Sequence, residues 1–176
     1  MRMRSSVWVW AFGLATALAG GLACAQNSHE PDVKARIVYR VLLFVSWPSQ
    51  RLPAGQPFDL CHFRDDALSA ALLRLAGQSV HGHALQVRKV TPSQIASCHA
   101  VYIGEQAPAA LAAAAQPDAG VLLIGDRLGL IEQGVMLNLH TDGGRVAFDI
   151  GLAAARRAGL QFSAKLLRLA RFVMDR

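Results

Sequence analysis

Cys61 and Cys98, each followed directly by a histidine (His62 and His99), are the first residues whose types could do chemistry. As free thiols they could serve redox or metal-binding roles, but such roles need a C-x-x-C pair or histidines at ligand spacing. A histidine next to its cysteine points to the opposite face of a strand. His81 and His83 lie two apart on a strand-like segment and could share a face, as in a minimal metal site. No Asp or Glu stands close to complete it, so they read as surface histidines. Asp65 and Asp66 are adjacent, diverge on a helix, and suit the positive end of its dipole rather than an acid/base couple. The loop Gly125-Asp126-Arg127-Leu128-Gly129 has phosphate-loop glycine spacing without the Lys and Ser/Thr that hold phosphate and metal, so it reads as loop punctuation. No nucleophile elbow, P-loop, H-E-x-x-H or dinucleotide fingerprint is present. The residue types therefore imply no cofactor, no metal and no catalytic constellation.

The beginning of the chain places these groups in a compartment. Arg2 and Arg4 form a basic start, residues 7–23 are uncharged and mostly apolar, and Ala23-Cys24-Ala25 offers small residues at −3 and −1. Residues 1–25 read as a secretory signal peptide cleaved before Gln26. The alternatives are a retained membrane anchor and a lipidated Cys24, against which stand a short, glycine-broken apolar run and Gly21 where a lipidation signal wants an aliphatic residue. Residues 26–176 form one domain's worth of chain, long enough to bury about two-thirds of its unfolded surface. Losing Arg2 and Arg4 reduces the formal charge from +6 to +4, and the remaining charges are scattered. That pattern argues against nucleic acid, which favours a clustered basic face. In an oxidising compartment the remaining even pair, Cys61 and Cys98, is expected to form a structural disulfide. It would close a loop of 38 residues counting both ends, worth roughly 4 kcal/mol by chain entropy.

Hydrophobic periodicity supplies the elements that hold these residues. Residues 31–47 carry Val33, Ile37, Val41, Phe44 and Val45 at helical spacing, and Trp47-Pro48 ends the helix. Residues 58–63 suit a strand, and a helix follows with Leu68, Leu72, Leu75 and Ala76 on one face and Gly77 as its C-cap. Strands are expected at 83–90, 98–103 and 120–124, with an alanine-rich helix at 106–116. Residues 135–139 and 145–150 form two more strands around a hairpin turn at 141–144. Strands alternating with helices, then a terminal hairpin and helices, predict a single-domain α/β sandwich with a mixed, mostly parallel sheet flanked by helices.

Residues 146–173 stand apart because they contain nothing that looks like chemistry. An extended segment leads into one short helix, Gly159 breaks it, and a second amphipathic helix is expected to close the protein. With Leu166 at zero and about 100 degrees per residue, the apolar side chains from Phe172 round to Leu167 fill an arc of about 220 degrees. Packing on one side needs little more than 100 degrees, so the excess suggests a docking surface. Its candidate residues are Lys165, Leu167, Arg168, Arg171 and Phe172.

Taken together, VKARIVYRVLLFVSWP, FDLCHF, CHAVYIG, GVLLIGD, GVMLNL and VAFDIGLAAARRAGLQFSAKLLRLA resemble the YfiR family of small periplasmic regulators. The most specific piece is the last, where the family reads approximately F-E-I-N-L-A-A-A-x-x-A-G-L-x-x-S-x-x-L-L-x-L-A. Asp149 replaces the usual Glu and Gly151 the usual Asn, a change expected to loosen the start of the helix. The resemblance implies a non-enzymatic inhibitor that binds the periplasmic sensor domain of an inner-membrane diguanylate cyclase and restrains cyclic-di-GMP synthesis. It also implies an OmpA-like outer-membrane lipoprotein as antagonist, a homodimer, and a disulfide matching Cys61 to Cys98; a second bridge found among some relatives has no counterpart here. A periplasmic small-ligand binding module is the alternative, suggested by the crevices that open α/β sheets offer at strand ends.

Overall fold

The computed structural model describes residues 29–104 and 120–175. The signal peptide expected at 1–25 and the helix expected at 106–116 lie outside the described residues. Helix α1 (Glu30–Leu42) starts with Pro31 in its first turn, where no N–H is missed, and with Glu30 and Asp32 at the positive end of its dipole. It buries Ala35, Val38, Val41 and Leu42. It stops five residues short of Trp47, because the two-residue strand β1 (Val45–Ser46) is drawn into antiparallel pairing with β9 (Gln161–Phe162). That pair was not expected, since two residues are too few to show a period.

Strand β2 (Phe58–His62) leads to α2 (Ala67–Leu73). Asp66 caps α2 by accepting the Ser69 N–H at 2.7 Å, while the Ser69 hydroxyl accepts the Asp66 N–H. Asp65 instead pairs with Lys89 at 2.6 Å. Strands β3 (Ser79–Val80) and β4 (His83–Lys89) form a hairpin with Val80 opposite His83. Its two turn residues, His81 and Gly82, both have positive φ, the type I′ signature.

A 3₁₀ turn, Pro92–Ser97, precedes β5 (Ala100–Tyr102), and β6 (Leu122–Gly125) follows. Strands β7 (Leu137–Asp142) and β8 (Arg145–Gly151) pair around Gly143-Gly144. The chain closes with α3 (Leu152–Arg157), β9, α4 (Ala164–Leu167) and β10 (Phe172–Met174).

The main sheet has eight strands in the order β10-β8-β7-β6-β5-β2-β4-β3. Strands β7, β6, β5, β2 and β4 run parallel, β3 and β8 run against them, and β10 runs parallel to β8. The result is the mixed, mostly parallel α/β sheet of a single domain, as expected. Leu60, Leu122, Ile124, Leu137, Leu139 and Ile150 from its centre and Val38, Leu42 and Leu72 from α1 and α2 are all fully buried. The Cys61–Cys98 disulfide joins β2 to the end of the 3₁₀ turn, two residues ahead of β5, with Cα atoms 6.1 Å apart and both residues inaccessible. It thereby ties two neighbouring strands, since Cys61 is in register with Val101.

His62, His81, His83 and His99 act as structural hydrogen bonders. His99 accepts the Asp59 N–H on Nδ1 at 2.9 Å and donates from Nε2 to the Arg51 carbonyl at 2.6 Å. His62 donates to the Arg64 carbonyl. His81 does not share a strand face with His83: it lies in the turn and donates to the Leu42 carbonyl at 2.9 Å, while His83 donates to that of Gln56.

Candidate interaction surface

The terminal segment is built outward from β8. Gly151 caps α3 at a point where a Cβ would lie 2.3 Å from the Val135 carbonyl oxygen, and its N–H donates to the Met136 carbonyl. Glycine is thus the residue that lets β8 and the 135–136 segment approach so closely. Rather than sitting loosely, the start of α3 is pinned there. Gly159 has a φ of +74° just beyond α3, where the chain reverses towards β9.

The second amphipathic helix is not formed as expected. Helix α4 spans only Ala164–Leu167, capped by the Ser163 hydroxyl accepting the Leu166 N–H, and the chain is strand again by Phe172. The cause is non-local. The exposed edge of β8 offers unpaired backbone groups, and Phe172, Val173 and Met174 take them in parallel register with Asp149, Ile150 and Gly151. Arg171 anchors the turn into β10: its N–H donates to the Phe148 carbonyl, and its Nε and Nη2 donate to the two Asp149 carboxylate oxygens at 3.0 and 2.8 Å. That contact holds the guanidinium pKa above its ordinary value. Arg156 pairs with Asp175 and ties the end of β10 to α3.

The expected surface residues consequently separate. Lys165 is exposed with its Nζ 5.5 Å from the Phe44 ring centroid, in cation–π range. Arg168 is exposed and makes no ion pair among the described residues. Leu167 is half-buried against the core. Phe172 is exposed, but on an edge strand rather than a helix face. Arg171 is committed to Asp149 and is not a free cation. Leu169, which the helical arc would bury, is 66% exposed because the helix has ended two residues earlier. Sequence reasoning placed Leu169 on a helical face and read Asp149 only as a replacement for the usual Glu, so it missed the exposure of the first and the Arg171 pairing of the second. A buried acid on a strand facing an arginine more than twenty residues later has no local pattern to betray it.

Asp149 also lies against His140, whose Nδ1 is 3.6 Å from its Oδ2. Both are buried, and Asn138 stands opposite Asp149 in the β7–β8 ladder. The surface segment is therefore moored to a polar seam inside the sheet.

The sequence model of the YfiR/HmsC-like family matches residues 31–171. The chain belongs to that family. The matched span takes in every segment on which the resemblance rests, from Val33 in α1 to Ala170 ahead of β10. YfiR/HmsC-like proteins are periplasmic and regulatory rather than catalytic, and the Cys61–Cys98 disulfide fits an oxidising compartment. A search of curated proteins returns no match. Among solved structures, a conserved domain protein from Vibrio cholerae O1 biovar El Tor str. N16961 is similar at 14% identity, with a TM-score of 0.49 over 81% of this chain and 60% of that one. This chain thus spans less than two-thirds of that protein's length.

Proposed function

We propose that the protein is an exported negative regulator, freed of residues 1–25, that binds the periplasmic sensor domain of an inner-membrane diguanylate cyclase and lowers cyclic-di-GMP synthesis. An OmpA-like outer-membrane lipoprotein acts as antagonist by sequestering it, and the working unit is a homodimer. Family membership across the domain is the observation that carries this reading. The terminal segment supports it physically. Leu169 and Phe172 expose apolar surface in a segment that also carries the exposed Lys165 and Arg168, the mix of apolar anchor and charged surround that protein interfaces use.

Cyclic-di-GMP measured in a strain deleted for this chain tests the proposal. The level rises on deletion, returns with the intact gene, and stays high when the gene carries L169D and F172D. An unchanged level on deletion would overturn it. The second reading, a small-ligand binding module, is favoured by a charged crevice elsewhere on the domain, and one domain can hold both features.

A further inference from the structure

The order of the parallel strands reverses between β2 and β5. From β2 the chain passes through α2 and the β3–β4 hairpin to lay β4 on one side of β2; it then crosses back to lay β5 on the other side, followed by β6 and β7. At such a reversal the connections leave the carboxyl ends of neighbouring strands in opposite directions, and a crevice opens between them. Here it has a volume of about 440 Å³, within the range of about 300–1,000 Å³ usual for small-molecule sites. Its walls come from the residues after β2, the end of β5, the residues after β6 and the first turns of α1.

The charges in these walls are unevenly committed. Tyr102 is buried with its phenol within hydrogen-bond reach of the Asp126 and Asp66 carboxylates; burial, then those two carboxylates, push its pKa above the ordinary value. Lys34, largely buried, lies 2.9 Å from Glu30 and 3.8 Å from Asp126. Glu30 also accepts from Thr141, Asp66 caps α2, and Asp65 pairs with Lys89. Every carboxylate lining the crevice thus has a protein partner. The guanidiniums of Arg64 and Arg127, both exposed in the same crevice, have none among the described residues. A planar guanidinium fork suits the oxygens of a carboxylate or phosphate.

We propose that this crevice binds a small oxyanion-bearing molecule, its carboxylate or phosphate held by Arg64 and Arg127, with Tyr102 and the partnered carboxylates of Asp66 and Asp126 lining the rest of the crevice. The site is separate from the terminal segment, so it stands or falls independently of the cyclase reading.

Thermal unfolding of the protein with its disulfide intact, titrated with succinate or inorganic phosphate against sodium chloride at equal ionic strength, tests this. Succinate, phosphate or both raise Tm saturably above the chloride blank, and which of them does so identifies the anion class. In the R64A/R127A double variant the midpoint concentration of the titration rises at least about tenfold, the loss expected of charge-assisted hydrogen bonds. The R64Q/R127Q variant gives the same loss with side-chain bulk kept, and near-UV circular dichroism checks that both variants are folded. No saturable shift with either anion, or an unchanged titration in the folded variants, would overturn the proposal.

Discussion

Arg171 grips both carboxylate oxygens of Asp149 across the β8–β10 junction, one partner exposed and the other buried. The pair is the side-chain link that sets β10 on the edge of the sheet and keeps Leu169 and Phe172 in place outside it. Replacing Arg171 with Ala leaves a buried carboxylate without its strongest donor. Amide exchange at Val173 and Met174 is then expected to accelerate while that of β5 and β6 stays unchanged, as read by hydrogen exchange with mass spectrometry. Unchanged exchange at Val173 and Met174 would show that β10 holds without the latch.

The exposed pair Leu169 and Phe172 should separate regulation from folding. Leu169 is 66% and Phe172 49% exposed, so L169D is expected to change unfolding free energy by no more than about 0.5 kcal/mol and F172D, which sets a carboxylate beside Asp149 in the β8–β10 ladder, by about 1 kcal/mol, while together they abolish repression. Urea unfolding followed alongside cyclic-di-GMP measurement checks this. A large loss of stability would mean that these side chains serve the fold.

Gly151 stands where the family pattern carries Asn. With a Cβ brought to 2.3 Å of the Val135 carbonyl oxygen, both G151A and G151N force β8 away from the 135–136 segment. A cost of roughly 1–3 kcal/mol is expected, as for overpacking in a core, measured by chemical denaturation. Unchanged stability would show that the 135–136 backbone gives way freely.

Breaking the disulfide with C61S and C98S together is expected to lower stability by roughly 4 kcal/mol, the chain-entropy value for a loop of this length. The same drop should follow reductant in the wild-type protein and be absent in the double variant. Denaturant melts with and without reductant measure both.

His99 makes stability depend on pH. Its Nδ1 accepts a backbone N–H and its Nε2 donates, so a second ring proton would set N–H against N–H. Burial holds its pKa below the ordinary 6.5. A depressed histidine binds fewer protons folded than unfolded, so its contribution is fully present above pH 6.5 and is lost as pH falls towards the folded value. Trp47 donates to the His99 carbonyl, so its fluorescence reports the loss. In H99Q, which cannot titrate there, the slope between pH 7 and 5 is expected to flatten; an unchanged slope would assign it to other groups.

The layout of helices and strands, the disulfide partners and the family could be read directly from residue order. Each rests on a local signal: apolar periods in α1 and β6, turn glycines at 143 and 144, an even cysteine pair, and a run of matched residues near the end. Local signals carry this far because hydrophobic spacing and turn chemistry act over a few residues. The end of the chain behaved differently. Leu166, Leu167, Leu169, Ala170, Phe172 and Val173 have a spacing that a helix accepts, yet only four residues are helical. The vacant edge of β8, the buried carboxylate of Asp149 and the two-residue β1–β9 pairing decided that outcome. The crevice between β2 and β5 was equally hidden, because Arg64, Tyr102 and Arg127 meet only when strands distant in the chain lie side by side. Residue order sets what each segment prefers alone; backbone groups left unpaired at a sheet edge, and charges brought together from far along the chain, choose among those preferences only once the domain has closed.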